Sequence, residues 1–252
     1  MKLKYSQANA KTKRLRDIPE LQKYLANRRK VYSLDMLSGW TCPGACDCKS
    51  KVHIIENRKK LFDGPKTQFR CFSASQEALY TNVYNARFYN WNLMNSMKSQ
   101  RQCRQLILNS LPNNLGINRY HVGGDFFKRT YLYAALDVAQ IHPDKLFYAY
   151  TKSLHFLDGI DMIDPENGII LPNFLVTTSK GGKYDNLIPK LGIRTATVVF
   201  SENDTTLPID HDDSHAATMG GSFALLLHGV QPKGSEAAVA LKELKGKGSY
   251  RN

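Results

Sequence analysis

From Ser73 onward the apolar positions fall into two rhythms. Ala74, Ala78, Leu79, Val83, Phe88, Leu93 and Met94 recur at spacings of three to five, which predicts helix, and a second helical stretch covers about 99–109. Short, nearly all-apolar runs then alternate with helical ones. Tyr120-His121-Val122 precedes a helix over 128–140, Leu146 to Tyr150 a short apolar helix, and Phe174 to Thr177 a helix over 185–191. Thr197 to Phe200 precedes a loop, Ala224 to Leu227 precedes a helix over 236–245, and upstream Lys30 to Leu34 reads as a strand of the same kind. Six such strands, each followed by a polar or Gly-rich turn, predict an α/β fold whose parallel sheet is buried on both faces. Eight strand–helix units close a barrel, so about six fit a partial parallel β/α barrel; an open doubly wound sheet is the alternative. In both, the site belongs at the C-terminal strand ends. There the sequence puts a cysteine-rich loop after the first strand, then Asp125, Lys152, Lys180, Glu202 and His228.

Two segments interrupt this order. Residues 1–30 read as a basic arm, with a short helix through Ile18, Leu21, Tyr24 and Leu25, ahead of a single domain over 31–252. Within that domain, 40–72 reads as a cysteine-bearing, basic insertion.

Charge sharpens the division. The 252 residues include 35 Lys/Arg and 22 Asp/Glu, a net charge of +13. Residues 1–30 hold ten basic and two acidic residues, 49–70 hold seven and two, and the remainder is balanced. Segregated charge favours a nucleic acid or an acidic protein partner, through local potential and counterion release. Lys11, Lys13, Arg14 and Arg16 in the first segment, and Arg58, Lys59 and Lys60 in the second, are the nucleic-acid-contact candidates; a solvated surface is the plain alternative. Because the second segment joins Cys48 to Cys71, a polyanion held there is expected close to whatever the cysteines hold. A 42% hydrophobic content excludes a disordered chain. No apolar run approaches the roughly 20 residues of a membrane span. The first residues lack a signal peptide's apolar stretch, so a cytoplasmic location is expected.

Cys42, Cys46 and Cys48 stand within seven residues, Cys71 follows, and Cys103 has no companion and reads as a helix-face thiol. Clustered thiols in a reducing compartment indicate metal rather than disulfides. Structural zinc usually shows two paired knuckles. Only Cys42 to Cys46 forms one here, so three thiols on one loop favour an iron–sulfur cluster over zinc or unligated thiols.

Gly39-Trp40-Thr41-Cys42-Pro43-Gly44-Ala45, Phe69-Arg70-Cys71-Phe72-Ser73-Ala74-Ser75, His121-Val122-Gly123-Gly124-Asp125-Phe126-Phe127, Phe147-Tyr148-Ala149-Tyr150-Thr151-Lys152-Ser153 and Pro208-Ile209-Asp210-His211-Asp212-Asp213-Ser214-His215 together resemble the bacteriophage gene product 88 family. The resemblance covers about 33–245 and leaves the basic arm outside. That family looks like a distant relative of the radical S-adenosylmethionine (SAM) proteins, which implies a partial barrel of that type with a [4Fe–4S] cluster at its mouth, in the host cytoplasm. Its recurrent thiols match Cys42, Cys48 and Cys71, leaving Cys46 as a fourth ligand or a bystander. Three ligands leave one iron open for SAM or a substrate; four close the cluster for electron transfer or structure. The spacing departs from the C-x₃-C-x₂-C of radical-SAM proteins.

Gly123-Gly124-Asp125 resembles the Gly-Gly-Glu of those barrels, which implies cofactor binding by Gly123, Gly124 and Asp125; the bland alternative is a turn with a carboxylate near a helix N-terminus. Asp125 and Lys152 are the catalytic candidates, and Lys180, at the next strand end, is a candidate for cofactor binding through a phosphate or carboxylate; solvent-facing loop lysines are the plain alternative. His211 and His215, with the aspartates between them, form a candidate second site. His121 and His228 read as core histidines bonded to backbone. Tyr80, Tyr84, Phe88, Tyr89 and Trp91 have a base-stacking composition, but their spacing places them in the core. The leading expectation is a radical-SAM-like iron–sulfur protein engaging nucleic acid or an acidic partner. A non-enzymatic binding module with a structural cluster and a zinc-dependent hydrolase at His211 to His215 are the alternatives.

Overall fold

The computed structural model describes residues 1–9 and 12–246, so Lys11 lies outside the described residues. Its strands are β1 (Tyr5–Gln7), β2 (Lys30–Leu34), β3 (Ser50–Ile55), β4 (Arg58–Asp63), β5 (Leu115–Tyr120), β6 (Leu146–Thr151), β7 (Ile169–Leu171), β8 (Phe174–Ser179), β9 (Thr195–Val199) and β10 (Phe223–Leu226). Its helices are α1 (Gln22–Leu25), α2 (Phe72–Leu79), α3 (Thr81–Ser96), α4 (Gln100–Leu108), α5 (Arg129–Ile141), α6 (Ile188–Leu191), α7 (Ser214–Ala217) and α8 (Glu236–Gly246).

The six parallel strands expected from the apolar runs are present and neighbour one another in chain order, β2-β5-β6-β8-β9-β10. β1 adds antiparallel to the free edge of β2, and β7 pairs antiparallel with β8. The path has two ends, so this mostly parallel sheet does not close into a barrel. One strand is displaced from expectation. It covers Leu115 to Tyr120, and His121 and Val122 already belong to the turn beyond it. Asn118 and Arg119, both buried inside that strand, depress its hydropathy and hide it.

Alternate residues of the central strands enter different cores. Phe147, Ala149, Phe174 and Val176 pack with Leu93, Met94, Ile107, Leu132 and Leu136 from α3, α4 and α5. Leu146, Tyr148 and Leu175 pack instead with Leu15, Leu21 and Tyr24 from the N-terminal segment and with Ala216 and Ala217 from α7. The residues read as a basic arm therefore do not stand apart: their apolar side chains cover one face of the sheet while Lys13, Arg14 and Arg16 remain exposed. Cys103 is buried in the first core on α4. The insertion is a separate two-stranded hairpin, β3-β4, whose turn residues Glu56 and Asn57 both take positive φ, 51° and 61°. No helix among the described residues is long and apolar enough to cross a membrane.

Candidate functional site

A cavity of about 400 Å³ opens at the C-terminal strand ends, bordered by Cys42, Cys48, Cys71, Asp125, Lys152 and His228 among others. The cysteines arrive on two supports. Cys42 to Cys48 form a tight loop clamped between two strand ends. Gly44 presses on the end of β6, where a Cβ would stand 2.1 Å from the Lys152 carbonyl oxygen. On the other side, the backbone N–H groups of Cys46 and Asp47 donate to the Gly181 carbonyl (3.3 and 3.0 Å), and that of Lys183 to the Gly44 carbonyl (2.8 Å). The Lys180-Gly181-Gly182-Lys183 turn thus holds the cysteine loop. Lys180 itself is exposed and does not border the cavity, so the structure leaves it out of the cofactor-binding group.

Cys71 sits at the N-terminus of α2. Behind it, Arg87 of α3 donates to Ser73 and to Glu77 (3.1 Å), while Glu77 accepts from the backbone and hydroxyl of Ser38 (3.0 and 2.7 Å). This buried network ties the helix bearing Cys71 to the segment leading into Cys42.

Burial pushes all three thiols up: Cys71 to about 12, Cys48 against the pull of Lys152, and Cys42 with Asp125, Cys71 and Cys48 adding to its rise. These three thus feel one another's charge. Cys46 does not border the cavity. Thiols so raised are protonated at neutral pH, and a bound cation is what would deprotonate them. Sulfur-directed N–H donors are in place: Gly39 donates to Cys42 Sγ at 3.3 Å, and the Ser73 and Ala74 amides lower Cys71 against burial.

Among the described residues no group of three or more His, Cys, Asp or Glu lies close enough together to hold a metal ion. A single zinc needs its donors within about 2.0–2.3 Å of one point. A cluster takes one thiolate on each of several irons. Cys42, Cys48 and Cys71 thus share one cavity, with amide donors directed at Cys42 and Cys71.

Several candidates occupy places other than those expected. Asp125 is no helix cap, since α5 starts beyond Lys128. Its Oδ1 accepts from the Thr151 hydroxyl (2.7 Å) and the Phe126 amide (2.7 Å), and its Oδ2 from the Lys152 amide (2.9 Å) and the Ser153 hydroxyl (3.2 Å). Two donors on each oxygen leave little capacity for a ligand. Asp125 fastens the cavity wall, and burial raises its pKa to about 6. Lys152 is buried rather than solvent-facing, its ammonium donating to the Ser179 carbonyl (3.0 Å) and to that of Lys180. Gly123 accommodates Ser73 and Arg87, while Gly124, at φ 88°, accommodates Thr41 and Met36 and borders the cavity.

The His211 to His215 group disperses. His211 is exposed, Asp213 turns inward and accepts from Arg119 and from the Tyr148 hydroxyl (3.0 Å), and His215 lies against Phe223 at 5.6 Å. Neither histidine borders the cavity. Glu202 is exposed in a turn of its own.

His228 borders the cavity, with Nδ1 3.1 Å from the Leu226 carbonyl and its ring 4.4 Å from that of Phe72. Lys59 turns toward the body and donates to the Glu77 carbonyl at 3.1 Å. Arg119, His121 and Tyr150 also border the cavity and were missed in these roles by the sequence pattern. The available signal was a charged residue inside a buried strand, and it could be read only with β5 in its observed register.

These features define an α/β protein with a thiol-lined cavity at the C-terminal edge of a mostly parallel sheet. The chain matches the gene product 88 family model over residues 2–245 and belongs to that family, N-terminal segment included. No curated protein and no solved structure matches it.

Proposed function

We infer that the chain is an iron–sulfur protein that carries a [4Fe–4S] cluster on Cys42, Cys48 and Cys71, in a partial parallel barrel of radical-SAM type. One observation carries this reading: three thiols from two separate segments border a single cavity at the C-terminal ends of parallel strands, and Cys46 does not. The strand order β2-β5-β6-β8-β9-β10 supports the half-barrel, since consecutive strands neighbour one another as they do in a full barrel. A cluster with three protein ligands keeps one iron open, to SAM or to a substrate, and supplies one-electron chemistry.

The chain's own groups prepare the place. The Gly39 amide and the start of α2 direct N–H donors at sulfur, Asp125 and Lys152 brace the wall, and Arg119 with Asp213 lies at the cavity's border. The excess of Lys and Arg, +13 net, supports an anionic partner, a nucleic acid or an acidic protein.

Anaerobic purification followed by iron and sulfide analysis tests the cluster. The expected result is a brown protein with about four irons per chain, lost on changing Cys42, Cys48 or Cys71 to Ala and kept on changing Cys46 to Ala. A colourless protein with one zinc refutes the cluster, and iron loss in the Cys46 variant refutes the three-ligand form.

A further inference from the structure

The hairpin and α3 together display an array of rings, anchored to the core through Trp91 and otherwise turned outward. Phe62 contacts His53 (5.2 Å between ring centres), His53 contacts Trp40 (4.9 Å), and Trp40 stacks on Trp91 (5.8 Å). The series continues from Trp91 to Phe88 (6.0 Å) and from Phe88 to Tyr84 (5.8 Å). Spacings of four and five put Tyr80, Tyr84 and Phe88 on one face expected to be core, yet none of the three is buried. Three of the six rings are widely open, with Phe62 47%, Phe88 39% and Trp40 37% exposed. Isolated surface aromatics need no explanation, whereas contiguous ones mark interaction sites.

The groups around the rings say what the partner is. Strand alternation puts Lys51, His53 and Ile55 on one face of the hairpin, opposite Phe62, Lys60 and Arg58. That face carries three cations and no carboxylate; Asp63 lies on the other face, engaged by Arg70 and Ser50. Lys51 Nζ stands 4.4 Å over the Trp40 ring. α3 holds no acidic residue in its sixteen positions, and Asn82, Asn85, Asn92 and Asn95 are exposed along it. Stackable rings, phosphate-pairing cations and uncharged amides are the three components of a single-strand surface. An acidic protein would use the cations and leave the rings and amides without a role.

We propose that this ribbon binds single-stranded RNA, with bases stacked on Phe62 and Phe88 and phosphates paired with Lys51, Arg58 and Lys60. RNA is preferred to DNA because the 2′-hydroxyl both donates and accepts, matching the exposed amides. The proposal rests on the polyanion part of the function proposed above and is independent of the cluster.

Fluorescence anisotropy with a labelled 12-nucleotide RNA and the full chain tests it, in iron-loaded and chelated protein alike, with heparin as a polyanion that has no bases. The expected result is binding to RNA in both preparations, weakened roughly tenfold by each of Phe62→Ala and Phe88→Ala, with heparin binding unaffected. Lys51, Arg58 and Lys60 changed together to Gln should lower the salt slope by about 2. Both phenylalanines are exposed, so their loss leaves folding intact, and circular dichroism verifies it. Heparin binding without RNA binding overturns this proposal while leaving an anionic partner in place. RNA affinity unchanged in the Phe variants overturns the ribbon, and equal or tighter binding of the matching DNA strand overturns the choice of RNA.

Discussion

Replacing His121 with Asn should make the protein markedly less sensitive to acid. The imidazole is buried, its Nε2 lies 2.9 Å from the Tyr131 hydroxyl, and its Nδ1 has no partner. Burial, with Arg119 adding to it, pulls the pKa from 6.5 to about 3. The unfolded chain therefore takes up a proton near pH 6.5 that the folded chain refuses until about pH 3. Stability from the neutral ring is complete above pH 6.5 and is lost as the pH falls through that window. At about 1.36 kcal/mol per unit, the loss between pH 7 and pH 4 is about 3 kcal/mol. Asp125 acts in the opposite direction: burial raises it from 3.8 to about 6, so its contribution is present below pH 3.8 and lost as the pH rises through 6. Subtracting the variant's stability from the parent's at each pH cancels that term. Asn suits the site because it tolerates the left-handed backbone, φ 70°, found there. Urea unfolding of chelated protein at pH 7, 6, 5 and 4 measures the difference. The variant should be weaker by about 1 kcal/mol at pH 7, where the Tyr131 contact is lost, and stronger than the parent by pH 4. Curves that remain parallel to within about 0.5 kcal/mol would refute a buried neutral imidazole.

Two further perturbations test how the cysteines are placed. Arg87→Met leaves Glu77 buried without its cation, which costs about 3–5 kcal/mol and should lower the melting temperature by roughly 10 °C; adding Glu77→Gln should recover part of this, and a shift under about 2 °C would remove the ion pair from the account. Gly44→Ala brings a methyl to 2.1 Å from the Lys152 carbonyl oxygen, so the loop must move. A loss of about 1–3 kcal/mol in urea unfolding is expected, against a negligible change for Gly220→Ala, where a methyl meets nothing within 4 Å. Equal effects of the two substitutions would mean that the loop is not clamped.

The parts of the fold legible in the sequence are those where burial on both faces gives a strand a continuous apolar run, as in Leu146 to Thr151 and Phe174 to Ser179. β5 was shifted because Asn118 and Arg119 are polar side chains within the sheet. The hairpin was not legible at all. β4 opens on three consecutive cations, Arg58-Lys59-Lys60, and the two-residue turn is Glu56-Asn57 rather than the Asn-Gly that announces such turns. At the N-terminus the short helix through Leu21 and Tyr24 was legible, but Leu3 and Leu15 stand alone among lysines and arginines, so nothing announced that this segment is packed on the sheet, where all four are buried. The thiols were legible from spacing alone. Their division into three and one came only from the family resemblance, because spacing does not say which side chains a clamped loop turns toward the cavity. Arg119 and His121 take their places only once the sheet is assembled around them.

Covalent connection suggested that the second basic segment would place its charge beside the cysteines. The structure divides the segment: Lys49, whose ammonium donates to the Cys42 carbonyl, and Arg70, which borders the cavity, stand beside the cysteines, whereas the cations of the hairpin's outward face do not. The cations of the cavity border are Arg70, Arg119 and Lys152, and each is already engaged, by Asp63, by Asp213 and by backbone carbonyls respectively. Lys51, Arg58 and Lys60 belong to the hairpin's outward face and do not border the cavity. Exposed cations at separate positions act additively on a polyanion and are screened by salt, whereas at the cavity Arg119 holds the buried Asp213 and Lys152 ties down backbone carbonyls. The net charge therefore says little about what enters the cavity. A polyanion can be held on the ribbon while a smaller and differently charged ligand occupies the thiol-lined space, and the two can be separated by mutation because they share no side chain.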